Sequence, residues 1–407
     1  MADFGAGDLD TFRAELRAWL EANYPAPLKD AKARTDPEAI WGGRAFAGSD
    51  DPQIQWLRTA AEKGLTAPAW PTQYGGGGLT SEQARIVEQE LSRGQYRQPL
   101  ASFGVWMLGP VLLEYGNDAQ KAEHLPSITR GEIRWCQGYS EPGAGSDLAS
   151  LATRCEDKGD HWLINGQKIW TSYANKADWC FCLVRTDTTK KHEGISFVLI
   201  DMTTPGVETR PIKLISGESP FCETFFTDVK IPKQNMVGQL NGGWEIAKRL
   251  LQYERQNISG GFGSGGGAGG SAGDLGQIAK SYIGVDETGA LEDADLRGRI
   301  TKNKMDFQSF YLTLARVAAE SRASNGPSAA TSIIKYAAAS LAQERSELMM
   351  EAMGAQGLGW EGQGFSPTEL TATHGWLRSK GNSIEGGTSE VNLNVVSKRV
   401  LGLPDPK

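Results

Sequence analysis

Two stretches of this 407-residue chain combine residue types suited to holding an aromatic ligand that carries phosphate. The first is Tyr139-Ser140-Glu141-Pro142-Gly143-Ala144-Gly145-Ser146-Asp147. Glycines beside small hydroxyls let backbone N–H groups approach a phosphate or a flat polar ring. The second is Gln167-Lys168-Ile169-Trp170-Thr171-Ser172, in which an indole followed by hydroxyls can stack on an aromatic ring and hydrogen-bond its edge. Each alone is also an ordinary turn or strand end. Their combination points to an aromatic cofactor.

Two carboxylates could serve such a site as a base. With a step of about 100° per residue from Trp244, the residues Glu245, Lys248, Arg249, Gln252 and Gln256 occupy one arc of a helix. Glu254 falls on the other side, among Ile246, Ala247, Leu250, Leu251, Tyr253 and Ile258. A carboxylate on an apolar face needs a partner, and desolvation makes it a better base. The alternative is a buried salt bridge, with Arg255 the nearest cation. Glu385 lies in the glycine-rich Glu385-Gly386-Gly387-Thr388-Ser389-Glu390, as a solvated or cofactor-adjacent carboxylate or as the runner-up base.

Other chemistries are disfavoured. The five cysteines, Cys136, Cys155, Cys180, Cys182 and Cys222, have no framework spacing and read as buried, reduced thiols. The four histidines, His124, His161, His192 and His374, adjoin no cluster at metal-ligand spacing, so no metal is expected.

The elements that must position these residues run helix, β, helix. Phe12, Leu16, Trp19 and Leu20 share a helical face, with Asp10 as the expected N-cap and Pro25 beyond the end. A loop is expected next, leading through Trp70-Pro71 into Gly75–Gly78, then helices over 81–96 and 101–128 with a break at Asn117-Asp118. Trp162-Leu163-Ile164, Asn165-Gly166 and Gln167–Trp170 predict a hairpin with a type I′ turn. Short β-rich runs at 179–184, 195–200, 207–215 and 223–231 complete an antiparallel barrel or sandwich ending near Val237-Gly238. Helical pattern returns from Gly242 to about Val400, interrupted by the glycine tract 259–273, which should break or weaken a helix. That tract is either a flexible connection or room for a ligand.

A net charge of −7 argues against nucleic acid or an anionic membrane as the main partner. No apolar run is long enough to span a bilayer, and the N-terminal MADFGAGDLD lacks the features of a signal peptide. A cytoplasmic enzyme is expected.

Several ordered motifs resemble the acyl-CoA dehydrogenase family across nearly the whole chain: Trp70-Pro71 with its glycines, Glu141–Asp147, Trp170, Phe226–Pro232, Gly386–Glu390 and Arg399-Val400-Leu401-Gly402. The resemblance implies an α+β multidomain fold: a helical N-terminal domain (1–131), a β middle domain (132–239) and a C-terminal four-helix bundle (240–407). It implies FAD as cofactor and assembly as an oligomer, a dimer or tetramer. By position, Tyr139 and Ser140 would meet the flavin ring, and Gly145 and Ser146 the phosphates, with Ser146 also near substrate. Trp170 would pack on the isoalloxazine, Ser172 would bond near N5, and Thr388 and Glu390 would contact FAD from the C-terminal domain. The family reaction removes the α-proton of an acyl-CoA thioester while the β-hydride passes to the flavin. The backbone N–H at Gly386 would help hold the developing enolate.

Many relatives carry the base directly before Gly-Thr or Gly-Ser, where this chain has Gly386. A smaller group places it in a Glu-Arg pair after the β domain, matching Glu254-Arg255, with Arg255 a candidate contact to CoA. The Arg-x-x-x-Phe-Gly-like stretch that reaches FAD pyrophosphate is missing; Arg297 and Arg299 could substitute. The expectation is therefore an FAD-dependent acyl-CoA dehydrogenase for a branched, ring-bearing or bulky acyl group, passing electrons to an electron-transferring flavoprotein. The alternatives are an O2-using oxidase and a supporting subunit of a heterotetramer with a homologous chain.

Overall fold

The computed structural model describes the chain except residues 1, 6–7, 31–34, 264–273, 325–330 and 405–407, and the side chains of 254–263, 318, 321–324 and 331–332. The chain forms two compact units, one of residues 1–212 and 220–254, the other of 213–219 and 255–407.

The first unit opens with α1 (Leu9–Asn23), α2 (Pro52–Glu62) and α3 (Ser81–Arg93). Asp8, not Asp10, caps α1, its carboxylate accepting from Thr11 N; Asp10 sits in the first turn. The stretch expected to be loop contains α2, started by Asp51 as N-cap and Pro52, whose missing N–H costs nothing at that position. Phe12, Leu16 and Leu20 of α1 are completely buried with Trp56 of α2 and Ile86, Val87 and Leu91 of α3. Glu90, buried on α3, accepts hydrogen bonds from Arg13 and Arg17 of α1 and from Arg93. The helices α4 (Gly109–Tyr115) and α5 (Asp118–Thr129) follow a wide turn at 104–108, and Asn117 caps α5 at the expected break. Trp70 is a buried core residue, and Gly109 makes room for it: a Cβ there would lie 1.8 Å from the indole.

Among the described residues eight strands follow: β1 (Trp135–Gly138), β2 (Arg154–Asp157), β3 (His161–Ser172), β4 (Trp179–Arg185), β5 (Ile195–Asp201), β6 (Val207–Ile212), β7 (Phe221–Pro232) and β8 (Met236–Val237). They form a mixed sheet in the order β6-β7-β3-β2-β4-β5-β8, with β1 also on β4. The expected antiparallel barrel or sandwich is corrected in this respect, because β1 and β2 both pair parallel with β4. Such pairings cross over between strands distant in sequence and leave no local turn signal. Alternation along β4 sorts two cores. Phe181 and Leu183 face a cluster with helical residues, whereas Cys180, Cys182 and Val184 face an all-β cluster with Ile164, Phe226 and Ile231. All five cysteines are buried and free of disulfides.

The expected hairpin at Asn165-Gly166 does not exist: β3 runs straight through it. Asn165 instead serves a bulge in the partner strand β7, donating to Asp228 Oδ1 at 3.0 Å and accepting from Asp228 N at 2.8 Å. Asp228 takes φ 50°, and the register shifts opposite Asn165. The same side-chain chemistry that makes Asn a turn residue here bridges two strands.

The helix α6 (Gly243–Gly263) closes the first unit through its N-terminal half. It continues into the first residues of the glycine tract; 264–273 lie outside the described residues. The second unit is helical: α7 (Leu275–Ile283), α8 (Ala294–Ser324), α9 (Thr331–Met353), α10 (Pro367–Ser379) and α11 (Ser389–Val395). Its centre is α9, against which α7, α8, α10 and α11 all pack. No helix among the described residues is long and apolar enough to cross a membrane.

Candidate active site

The 139–147 run forms a tight loop against β3. Glu141 and Ala144 exchange both backbone hydrogen bonds at 3.0 Å, so Pro142 and Gly143 make the turn. Tyr139 is buried, edge-on to Phe181, while Ser140 is half-buried with its carbonyl accepting from Ile169 N at 2.9 Å. Gly143, Gly145, Ser146 and Asp147 are exposed. A Cβ added at Gly143 or Gly145 would meet nothing within 4 Å, leaving open backbone for a ligand. Lys191 pairs with Asp147 at 2.9 Å, and its hydrogen bond, with that from Ser150, holds the Asp147 carboxyl below its usual range.

Ile169 joins this loop directly to the strand that carries Trp170. Up to Lys168, the even positions Trp162, Ile164 and Lys168 of β3 are buried. Unbroken alternation would bury Trp170 too. Instead the register slips between Lys168 and Thr171, Trp170 adopts φ 60°, and Thr171 turns inward. This bulge leaves Trp170 52% exposed, touching Phe221 edge-on with centroids 6.0 Å apart. Bulges re-aim side chains in this way beside active sites. Ser172, half-buried, ends the strand opposite Phe221.

Glu254 lies on α6, and its side chain, like that of Arg255, is outside the described residues. The helix itself is oriented as the wheel predicts. Ile246, Ala247 and Leu250 are buried in the cluster that also holds Tyr139 and Ala144, while Glu245, Lys248 and Gln252 are exposed. By helical register Glu254 continues the line of Ala247 and Leu250. Tyr253 and Arg249 both donate to Glu114, at 3.0 and 2.8 Å. The first unit therefore brings together Tyr139, Ser140, Gly145, Ser146, Trp170 and Ser172 on a frame shared with the helix of Glu254.

In the second unit, Gly386 and Gly387 take φ 63° and 91°, a left-handed run that glycine supports without strain. Thr388 caps α11, accepting from Val391 N, and Glu390 is exposed in its first turn. Asn392 braces the loop by donating to the carbonyls of Gly387 and Thr388. Glu385 accepts from Arg378 at 2.7 Å. Arg299 grips Glu351 through two 2.7 Å bonds, and Arg297 donates to the Leu291 carbonyl and lies 3.6 Å from Asp286.

One pair escaped the sequence reading. Lys168 is completely buried and donates to Glu141 Oε1 at 2.8 Å and to the Tyr139 carbonyl at 3.0 Å. A lysine on the buried line Trp162, Ile164, Lys168 was the available signal, since a buried ammonium requires a carboxylate nearby.

With this geometry in view, comparison with known proteins is direct. Family profiles match the acyl-CoA dehydrogenase N-terminal domain over 8–132, the middle domain over 136–229 and the C-terminal domain over 241–401. The chain belongs to the acyl-CoA dehydrogenase family, flavoprotein oxidoreductases that act on acyl-CoA. It is 34% identical over 409 residues to the acyl-CoA dehydrogenase IpdE1 of Mycolicibacterium smegmatis, with 98% of each chain covered. Among solved structures it resembles a chain of the ChsE4-ChsE5 complex from Mycobacterium tuberculosis, at 27% identity, TM-score 0.74 and full coverage of both. It also resembles the Tcur3481-Tcur3483 steroid acyl-CoA dehydrogenase, at 26% identity and TM-score 0.74 with 98% of each chain covered.

Proposed function

We propose that this chain is an FAD-dependent acyl-CoA dehydrogenase that forms an α,β-double bond in a bulky, ring-bearing acyl-CoA thioester. The observation that carries the reading is Trp170, lifted out of its strand by a bulge and tethered through Ile169 to the open loop of Ser140, Gly145 and Ser146. A half-exposed indole beside bare glycine backbone fits a flat heteroaromatic ring with a phosphate-bearing tail. Tyr139, Ser140, Trp170 and Ser172 would hold the ring, Gly145 and Ser146 the phosphates, and Thr388 and Glu390 would add contacts from the C-terminal domain. Bound FAD supplies the hydride acceptor. The chain's own task is to hold the thioester, take the α-proton on Glu254 and stabilise the enolate oxygen with the Gly386 N–H.

An open groove of about 550 Å³ beside this loop, whose lining includes Ser150, Arg154, Lys190 and Lys191, would suit the phosphates of a CoA carrier, with Arg255 and Ser146 as further substrate contacts. The ring-bearing substrate rests on the steroid enzyme among the similar structures and on the glycine tract after Glu254. The chain acts as an oligomer: α8 and α9 expose Met305, Tyr311, Leu312, Ile333 and Tyr336, apolar groups that an assembly would cover. A heterotetramer with a homologous chain is the second reading, favoured by two similar structures that each carry two named components. An electron-transferring flavoprotein is the proposed acceptor. The proposed domain division is 1–131, 132–239 and 240–407.

The test is the visible spectrum of the purified protein, before and after anaerobic addition of a ring-bearing acyl-CoA. A flavin band that bleaches supports an autonomous dehydrogenase. A colourless chain that gains flavin and activity only when co-expressed with a homologous partner supports the heteromer. A flavin band that no acyl-CoA bleaches contradicts both. Rapid reoxidation by air would replace the flavoprotein acceptor with O2.

A further inference from the structure

The buried pair of Lys168 and Glu141 has no part in the chemistry above, yet it joins the 139–153 segment to the strand that carries Trp170. Glu141 begins the loop, and its carboxylate also reaches the loop's far end. Oε2 accepts from Ala152 N at 2.6 Å and Oε1 from Thr153 N at 2.9 Å. One side chain thus closes the neck of the segment that displays Gly145 and Ser146. Lys168 then fastens that neck to β3, since its ammonium binds Glu141 Oε1 and the Tyr139 carbonyl. Two residues further along the strand is Trp170, with the bulge between them.

Stability alone does not account for this pair. Lys168 is fully buried and Glu141 nearly so. Removing two charges from water costs several kcal/mol per ion, and apolar replacements of similar volume are often as stable. What apolar side chains lack is direction. The pair makes four charge-assisted bonds to segments 139–141, 152–153 and β3, and so fixes one arrangement of the loop relative to the indole. Burial pushes the Glu141 carboxyl up, but Lys168, by its charge and hydrogen bond, the Thr153 side chain and the Ala152 amide bring it net below its usual range.

We infer that Lys168 and Glu141 are positioning residues for cofactor binding, locking the Ser140–Ser146 loop against the Trp170 bulge so that ring and phosphate contacts are presented together. The inference rests on the flavin reading of this site. The test measures FAD affinity of the full-length protein, stripped of flavin, by flavin fluorescence, alongside the melting temperature without FAD. Three variants are compared: Lys168→Met, Glu141→Gln and both together. We expect Lys168→Met to weaken FAD binding at least tenfold and to blur the fine structure of the bound flavin's visible band. Glu141→Gln, which keeps one carbonyl oxygen at the neck, should lose less. The double variant should lose no more than the worse single one, as for groups that act as a unit. Should Lys168→Met not fold, Glu141→Gln carries the test. Unchanged FAD affinity and spectrum in folded variants, with only the melting temperature lowered, would overturn the inference. Trp170→Ala is the control. If it weakens FAD binding and the pair variants do not, the positioning role alone fails; if neither does, the flavin reading fails and takes the inference with it.

Discussion

Replacing Trp170 with alanine should weaken FAD binding without unfolding the protein, and the size of the loss follows from its exposure. The side chain is 52% exposed and meets Phe221 edge-on. A tryptophan presents roughly 250 Å² when fully open, so about 125 Å² of indole is available to a ligand. A flat ring laid on one face covers roughly half of that and removes a similar area of itself from water. At ~25 cal/mol per Å² this is worth about 3 kcal/mol, with aromatic stacking adding up to about 1. A ring that partly settles into the gap left by the indole recovers some of it, leaving an expected loss of about 1.5–3 kcal/mol, or 10- to 150-fold in Kd. Trp170→Phe, which retains a smaller ring, should fall between. The assay is titration of flavin-free protein with FAD, followed by fluorescence, with circular dichroism to show the fold intact. Alanine binding FAD within twofold of the wild type would refute the reasoning, because the bulge would then display an indole that no ring covers.

Two further outcomes test the frame behind the site. Arg17, with Arg13 and Arg93, holds the Glu90 carboxyl down to about 2 despite burial, against about 4.5 unfolded. Its stabilisation is present above the unfolded value and lost as pH falls from about 5 to 2, with a ceiling of about 3 kcal/mol that screening of the half-exposed arginines reduces. Glu90→Gln should therefore be less stable than wild type at pH 7 in urea unfolding, with the gap narrowing steadily below about pH 4.5 and closing only below about pH 2; a gap at pH 2.5 equal to that at pH 7 would contradict the ion-pair account. Gly109→Ala forces a methyl to within 1.8 Å of Trp70 and should cost about 1–3 kcal/mol, lowering the melting temperature by several degrees; no change would place Trp70 elsewhere.

Much of this architecture is legible in the amino-acid sequence, for reasons that differ by element. The strands β4 and β5 are buried on both faces and read as continuous apolar runs, and Asn117 caps α5 where the pattern breaks. The α6 wheel sorted buried Ala247 and Leu250 from exposed Lys248 and Gln252 because a helix face depends only on spacing. Long-range pairing was not legible. The parallel partners of β4 lie far off in sequence, and Asn165-Gly166 looked like a turn because Asn makes the same local hydrogen bonds whether the chain reverses or a neighbouring strand bulges. The helix α2 was readable from Asp51-Pro52 with Ile54, Trp56, Leu57 and Ala60, but glycines and prolines on either side concealed it. For the proposed site, the motifs are what point to Ser140, Gly145 and Trp170. The bulge that exposes Trp170 and the Lys168–Glu141 pair that ties loop to strand depend on strand register, which only the folded sheet defines.

The most direct test of the account is the anaerobic reaction of flavin-loaded protein with acyl-CoA, compared among wild type, Glu254→Gln and Glu385→Gln. With Glu254 as the base, the glutamine variant should bind FAD and substrate normally and lose flavin bleaching by at least a thousandfold in rate, since the amide cannot take the α-proton. Glu385→Gln, which removes the ion pair with Arg378, should bleach at close to the wild-type rate. Bleaching that survives in Glu254→Gln and disappears in Glu385→Gln would contradict the account and move the base to the glycine-rich loop.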